Sequence, residues 1–135
     1  MRYVVILLVL VFSAGSVAAQ HHSAPAPAAG KAALMAGLGN HHHPIATNNP
    51  EAQKFFDQGL TLIFGFNHDA AIAMFQRAAE LDPNAAMPQW GTALALGSNY
   101  NDQGNEERFA RAYQALQKAQ SLVANGAENE RAYVA

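Results

Sequence analysis

Apolar positions follow two rhythms along this chain. Between Tyr3 and Phe12 they are unbroken; from Asn49 onward they recur three and four residues apart, which lines side chains along one face of a helix. Asn49-Pro50-Glu51 combines an amide cap, a proline at the first helical position and an acid in the first turn, so a helix is expected to start there. It carries Phe55, Phe56, Gly59, Leu60, Leu62 and Ile63 to about Phe64, and Gly65 ends it. A second helix is expected from His68 or Asp69 to Leu81, with Ala71, Ile72, Phe75, Ala78 and Ala79 on one side and Gln76, Arg77 and Glu80 on the other; Asn67 or Asp69 is its expected cap and Asp82-Pro83 stops it. A third covers about Ala86 to Leu96 and closes at Gly97. After the polar loop Ser98 to Gly104, a fourth runs from Asn105 or Glu106 to Ala124 on an apolar ladder of Phe109, Tyr113, Leu116, Ala119 and Val123. Asn125-Gly126 is expected to form a left-handed cap, and Glu128 to Ala135 reads as the first turns of a fifth helix.

The first rhythm has another meaning. Arg2, the apolar run and the small residues Ser13 to Ala19 have the layout of a secretory signal, with cleavage expected after Ala19. The run is about half of the ~20 apolar residues that a membrane span needs. Residues 20–39 are rich in alanine, proline and glycine and read as a flexible tether, while Asn40 to Asn49 is polar and turn-like, with Pro44 biasing His43 towards an extended backbone. The expected organisation is therefore a signal peptide at 1–19, a flexible Ala/Pro/His-rich segment at 20–48 and a helical domain at 49–135, located in the periplasm or secreted.

Within the helical part, Phe55, Gln58, Gly59, Leu62, Ala71, Phe75, Ala78 and Pro83 fall at the spacings of the 34-residue tetratricopeptide pattern, with only Gln58 chemically wrong for its slot. Gly59 and Ala71 are small where two helices of a hairpin approach, Phe55 and Phe75 fill the space around them, and Pro83 turns the chain onward. One period beyond Gly59 lies Ala93, also small; Leu62 maps to Leu96, while Trp90 lies one place past the aromatic slot. Ala112, Leu116 and Ala119 repeat the second-helix signature late, which lengthens the intervening loop. Through GLGNHHHPIATNNPEAQKFFDQGL, FGFNHDAAIAMFQRAAELDP and WGTALALGSNYN, residues Gly37 to Ala135 resemble the N-terminal region of large exported bacterial tetratricopeptide-repeat proteins. The resemblance implies an all-α fold of antiparallel helix pairs stacked as a right-handed superhelical array, about two repeats plus the start of a third, and it implies protein interaction without a catalytic residue. Relatives of this kind are longer and some carry cysteines near the place of Met87, so the chain reads as truncated at its C-terminus and without a thiolate role.

Composition narrows the function classes. The formal net charge of −2, lowered by one when Arg2 leaves with the signal, offers no electrostatic reason to bind nucleic acid or anionic lipid. With no cysteine, burial alone must hold a small domain together. No nucleophile elbow, zinc-protease helix or phosphate loop is present, so an enzyme is not expected. Histidine is the unusual resource. A free Gln20 amine with His22 in third place would wrap Cu(II) or Ni(II) in nitrogens, and His41, His42 and His43 in a flexible segment would turn toward one divalent ion such as Zn(II). The competing reading lays this segment along the first helix, with Pro44 and Ile45 as an apolar cover. His68, Trp90 and Tyr100 read as turn, core and loop packing.

The leading expectation is an exported interaction module that takes a protein or peptide partner on the exposed face of the first helix of each pair, through Gln53, Asp57, Gln58, Thr61 and Gln89. The alternatives are a periplasmic metal-binding protein using the histidine clusters, and a non-functional remnant of a longer chain.

Overall fold

The computed structural model describes residues 32–135; the expected signal peptide, His21 and His22 lie outside them. The described residues are all-α: α1 (Pro50–Phe64), α2 (His68–Leu81), α3 (Met87–Leu96), α4 (Glu106–Leu122) and α5 (Glu128–Val134), with a 3-10 turn at Val123–Asn125 between the last two. The caps follow from side-chain chemistry. Asn49 accepts from the backbone N–H groups of Glu51 and Ala52, Asn67 from Ala70 and Asn105 from Arg108, which satisfies donors that a helix start leaves without partners. Asn49 also donates its amide to the Leu81 carbonyl, 3.0 Å away, so one residue closes the end of α2 and opens α1.

α1 pairs with α2 and α3 with α4, and α3 packs against α2 as well. The core is apolar and concentrated on the first three helices: Phe55, Phe56, Leu62, Ala71, Phe75, Ala78, Met87 and Leu96 are all buried. Phe75 is its centre. A Cβ built on Gly59 of α1 or on Gly91 of α3 would fall 2.5 Å or 2.6 Å from the Phe75 Cε1, so both helices are glycine where they meet this ring. The α3 glycine at the ring is thus Gly91, two places before the position that strict periodicity selects. Phe56 closes the cluster, its ring centroid 5.5 Å from that of Phe75.

Trp90 of α3 does not take the slot of Phe55. Phe55 faces α2, where the Arg77 guanidinium lies 5.9 Å from its ring. Trp90 instead points to α5, 5.2 Å from Tyr133, and so corresponds to Phe56, which borders the same side of the molecule through His43. Pro83 is exposed in the turn after α2.

Arg108 ties α4 back to α3, donating to the carbonyls of Ala95 and Leu96 and pairing with Asp102 at 2.7 Å. It thereby supplies donors to the last carbonyls of α3. The apolar ladder of α4 is only half used. Ala119 is buried and Leu116 and Val123 are half-buried, but Phe109 and Tyr113 stay exposed because no described element covers that end of α4. Tyr100 is 96% exposed and does not pack as its loop position implied. Gly126, expected in a left-handed cap, has φ −75°; the left-handed residue among the helix ends is Phe66, φ 57°, after Gly65.

Candidate functional site

Residues 35–47, expected as the end of a flexible segment and a polar turn, lie against α1. They run along α1 in the opposite direction, Met35 near Gln58 and Ile45 near Gln53, and they are held there by side chains of the helix. Burial alternates residue by residue: His43, Ile45, Thr47 and Asn49 are half-buried, and His42, Pro44, Ala46 and Asn48 are exposed. Up to Ile45 that period of two is the mark of an extended chain with one face against a surface; beyond it the chain bends, the Thr47 N–H donating to the Ile45 carbonyl at 2.8 Å. Ile45 and, nearer the start of the segment, Leu38 supply the apolar contacts, packing against the core.

The polar side chains of α1 read the main chain of this strap. Gln58 accepts from the Met35 N–H at 2.9 Å and donates to the Met35 carbonyl at 2.8 Å. Gln53 accepts from the Ile45 N–H at 3.0 Å and donates to the His43 carbonyl at 2.8 Å. Each carboxamide thus stands in for one peptide group of a neighbouring strand, offering a donor and an acceptor side by side. Asp57, whose side chain is 13% exposed, accepts from the His43 N–H at 3.0 Å, the His42 Nδ1–H at 2.8 Å and the Gln53 amide at 2.9 Å. Three donors compensate a carboxylate that has lost most of its water.

The other edge of the strap faces α5. There the Ala46 N–H donates to Glu130, a carboxylate only 2% exposed. The His43 ring sits between α1 and α5, its centroid 6.1 Å from Phe56 and 5.6 Å from Tyr133. α3 touches both α1 and α5, but these two do not touch each other. The strap therefore lies in the gap between them. It is clamped at its end by Thr47, which donates to Asp82 at 2.6 Å.

Three of the five residues expected to meet a partner, Gln53, Asp57 and Gln58, converge on this one segment. Thr61 does not join them; its hydroxyl donates to the Asp57 carbonyl one turn back. Gln89 is on another side altogether, beside Gln76, Glu80 and Thr92 in the groove between α2 and α3. The reason is register: one period on from Phe55 is Gln89, and Phe55 itself faces α2. Missed from sequence were Glu130 and Tyr133, whose approach to residues 43–46 depends on how α5 folds back, which no local pattern encodes.

The histidines part company. His41 packs on its edge against Phe64, His42 bonds to Asp57 and His43 enters the slot between Phe56 and Tyr133. No group of three metal-ligating side chains occurs among the described residues, so the structure does not bring His41, His42 and His43 to one point. His68 begins α2 half-buried, near the Phe66 ring. No described helix is long and apolar enough to cross a membrane. Comparison with known protein families, with curated proteins and with solved structures found no match.

Proposed function

We propose that this protein is an exported interaction module of the tetratricopeptide type, whose α1 face binds an extended segment of a protein or peptide partner. One observation carries the reading: Gln53 and Asp57 already hold an extended stretch at His43 to Ile45, and Gln58 holds Met35 before the turn that leads to it, chiefly through main-chain groups. A face that supplies paired donors and acceptors to an extended backbone has the chemistry of strand-like peptide recognition. Paired helices, with α3 packed on α2, agree with the stacking that the repeat pattern implies. The export assignment rests on the N-terminal layout of charge, apolar run and small residues.

The test is selection of random peptides displayed on phage against the immobilised chain. Enriched peptides should lose at least tenfold in affinity when Gln53, Asp57 and Gln58 are changed together to alanine in a variant that keeps its helical circular dichroism. Failure to enrich any sequence, or binding indifferent to the three changes, sinks the reading.

A further inference from the structure

We propose that residues 35–47 are a built-in occupant of the partner's own groove, and that they define the partner's chemistry: an extended segment with a planar ring, one intervening residue, then an apolar side chain. The inference rests on the interaction reading above and adds to it the identity of the competitor and the pattern recognised.

Backbone geometry along the two walls carries it. In an extended chain, the N–H and C=O of one residue point to the same side and those of the next residue to the other. The His43 N–H and carbonyl and the Ile45 N–H all go to α1, whereas the intervening register, at Ala46, goes to Glu130 of α5. Just past Ile45 the chain turns tightly, the Thr47 N–H donating to the Ile45 carbonyl at 2.8 Å, and this turn presents the Ala46 N–H to the α5 wall. Pro44 fits this arrangement. It has no N–H to offer, and its place in the alternation falls on the edge turned from α1, so the wall of Gln53 and Asp57 loses no bond. It also holds His43 extended before the chain reaches the groove.

Specificity comes from two inward positions. The His43 ring lies between Phe56 and Tyr133, a slot with aromatic walls that suits any planar ring. Two residues on, Ile45 meets the core. Of the polar contacts, only His42 on Asp57 and Thr47 on Asp82 involve strap side chains; the rest read main chain and tolerate many sequences. A partner that presents ring, any residue and apolar side chain, with free N–H groups at the first and third, satisfies the same groups. To bind, it must displace a tethered competitor, whose effective concentration is of millimolar order for short connections. The strap therefore sets a threshold that only a well-matched partner passes.

A nicked chain tests this without asking any variant to fold alone. A protease site inserted between Asn48 and Asn49 is cut after the full chain has folded, with a fluorescent label placed N-terminal to Met35. The cut strap should then dissociate measurably, and unlabelled peptide of residues 33–48 should displace it. Phenylalanine in place of His43 in that peptide should keep displacement within about threefold of the parent. Glycine at His43, aspartate at Ile45, or N-methylation of the Ile45 amide should each weaken it at least tenfold.

Loss of helical circular dichroism as the strap leaves would show that the strap is an integral part of the fold and would overturn the proposal. Displacement equally good with the glycine and aspartate peptides would overturn the ring-and-apolar pattern while leaving a peptide-binding face in place. A stable dimer with straps exchanged would assign the groove to a second copy and overturn the partner. If no peptide displaces the strap and phage selection on the nicked chain also fails, this inference and the interaction reading fall together; success of the selection alone removes only this inference.

Discussion

The Phe75 ring lies so close over Gly59 that a Cβ there would stand 2.5 Å from its Cε1, well inside contact distance. Gly59→Ala gains up to about 1 kcal/mol of helix propensity, but Phe75 is fully buried and pressed against Phe56, so it has nowhere to retreat. Overpacking of this kind costs about 1–3 kcal/mol and should win. Urea melts should show Gly59→Ala and Gly91→Ala both destabilised. In a Phe75→Leu background each should cost at least ~1 kcal/mol less, the signature of a direct contact; additive costs would refute it.

Asn49 performs two tasks, which two substitutions separate. Asn49→Asp keeps the cap of α1 but loses the donor to the Leu81 carbonyl; Asn49→Ala loses both. Loss of a cap costs about 0.5–2 kcal/mol. The alanine variant should therefore be less stable than the aspartate variant in chemical denaturation, and an equal loss for the two would show that only one of the contacts matters.

Among the described residues Glu130 is the one buried acidic side chain, and it receives the Ala46 N–H. Glu130→Gln retains an acceptor and should preserve protection of that amide from hydrogen exchange. Glu130→Ala removes it, and an unmade bond at a buried group costs about 1–3 kcal/mol. Exchange at Ala46 should then accelerate at least tenfold while α2 amides change little. Unaltered exchange at Ala46 would mean that the α5 edge does not hold the strap.

Metal binding through the triple histidine and the strap geometry are mutually exclusive. An ion shared by His41, His42 and His43 must pull His43 from between Phe56 and Tyr133, although His42, bonded to Asp57 through Nδ1, keeps its Nε2 for a metal. Calorimetric titration with Zn(II) or Cu(II) should show the same weak binding with His41 and His43 both changed to asparagine as without, and amide exchange at His43 and Ile45 should not move. Stoichiometric binding that abolishes their protection would restore the metal reading for this segment.

Much of the architecture was legible in order along the chain because its causes are local. Asn49-Pro50-Glu51 starts α1 through its own side chains, Asn67 and Asn105 cap their helices within three residues, and the three-and-four spacing of Phe55, Leu62, Ala71, Phe75 and Ala78 places them on buried faces. The candidate site was legible by halves. Gln53, Asp57 and Gln58 stand out as polar groups along α1, but the sequence left open whether the histidine-rich segment lies along this helix or is a flexible tether.

The helices, their asparagine N-caps and the small Gly59 beneath Phe75 are thus readable along the chain, because they rest on contacts within a turn or on the steric demand of one ring. That the histidine-rich segment lies as a strap against α1 depends instead on groups brought together by helix packing. Low apolar content argues that a segment cannot order itself, and taken alone residues 35–47 do not bury enough to do so. They are ordered by bonds to groups far along the chain: Gln53, Asp57 and Gln58 of α1, Asp82 after α2 and Glu130 of α5. Those groups come together only once the helices have packed, and composition, which is blind to partners, cannot count them.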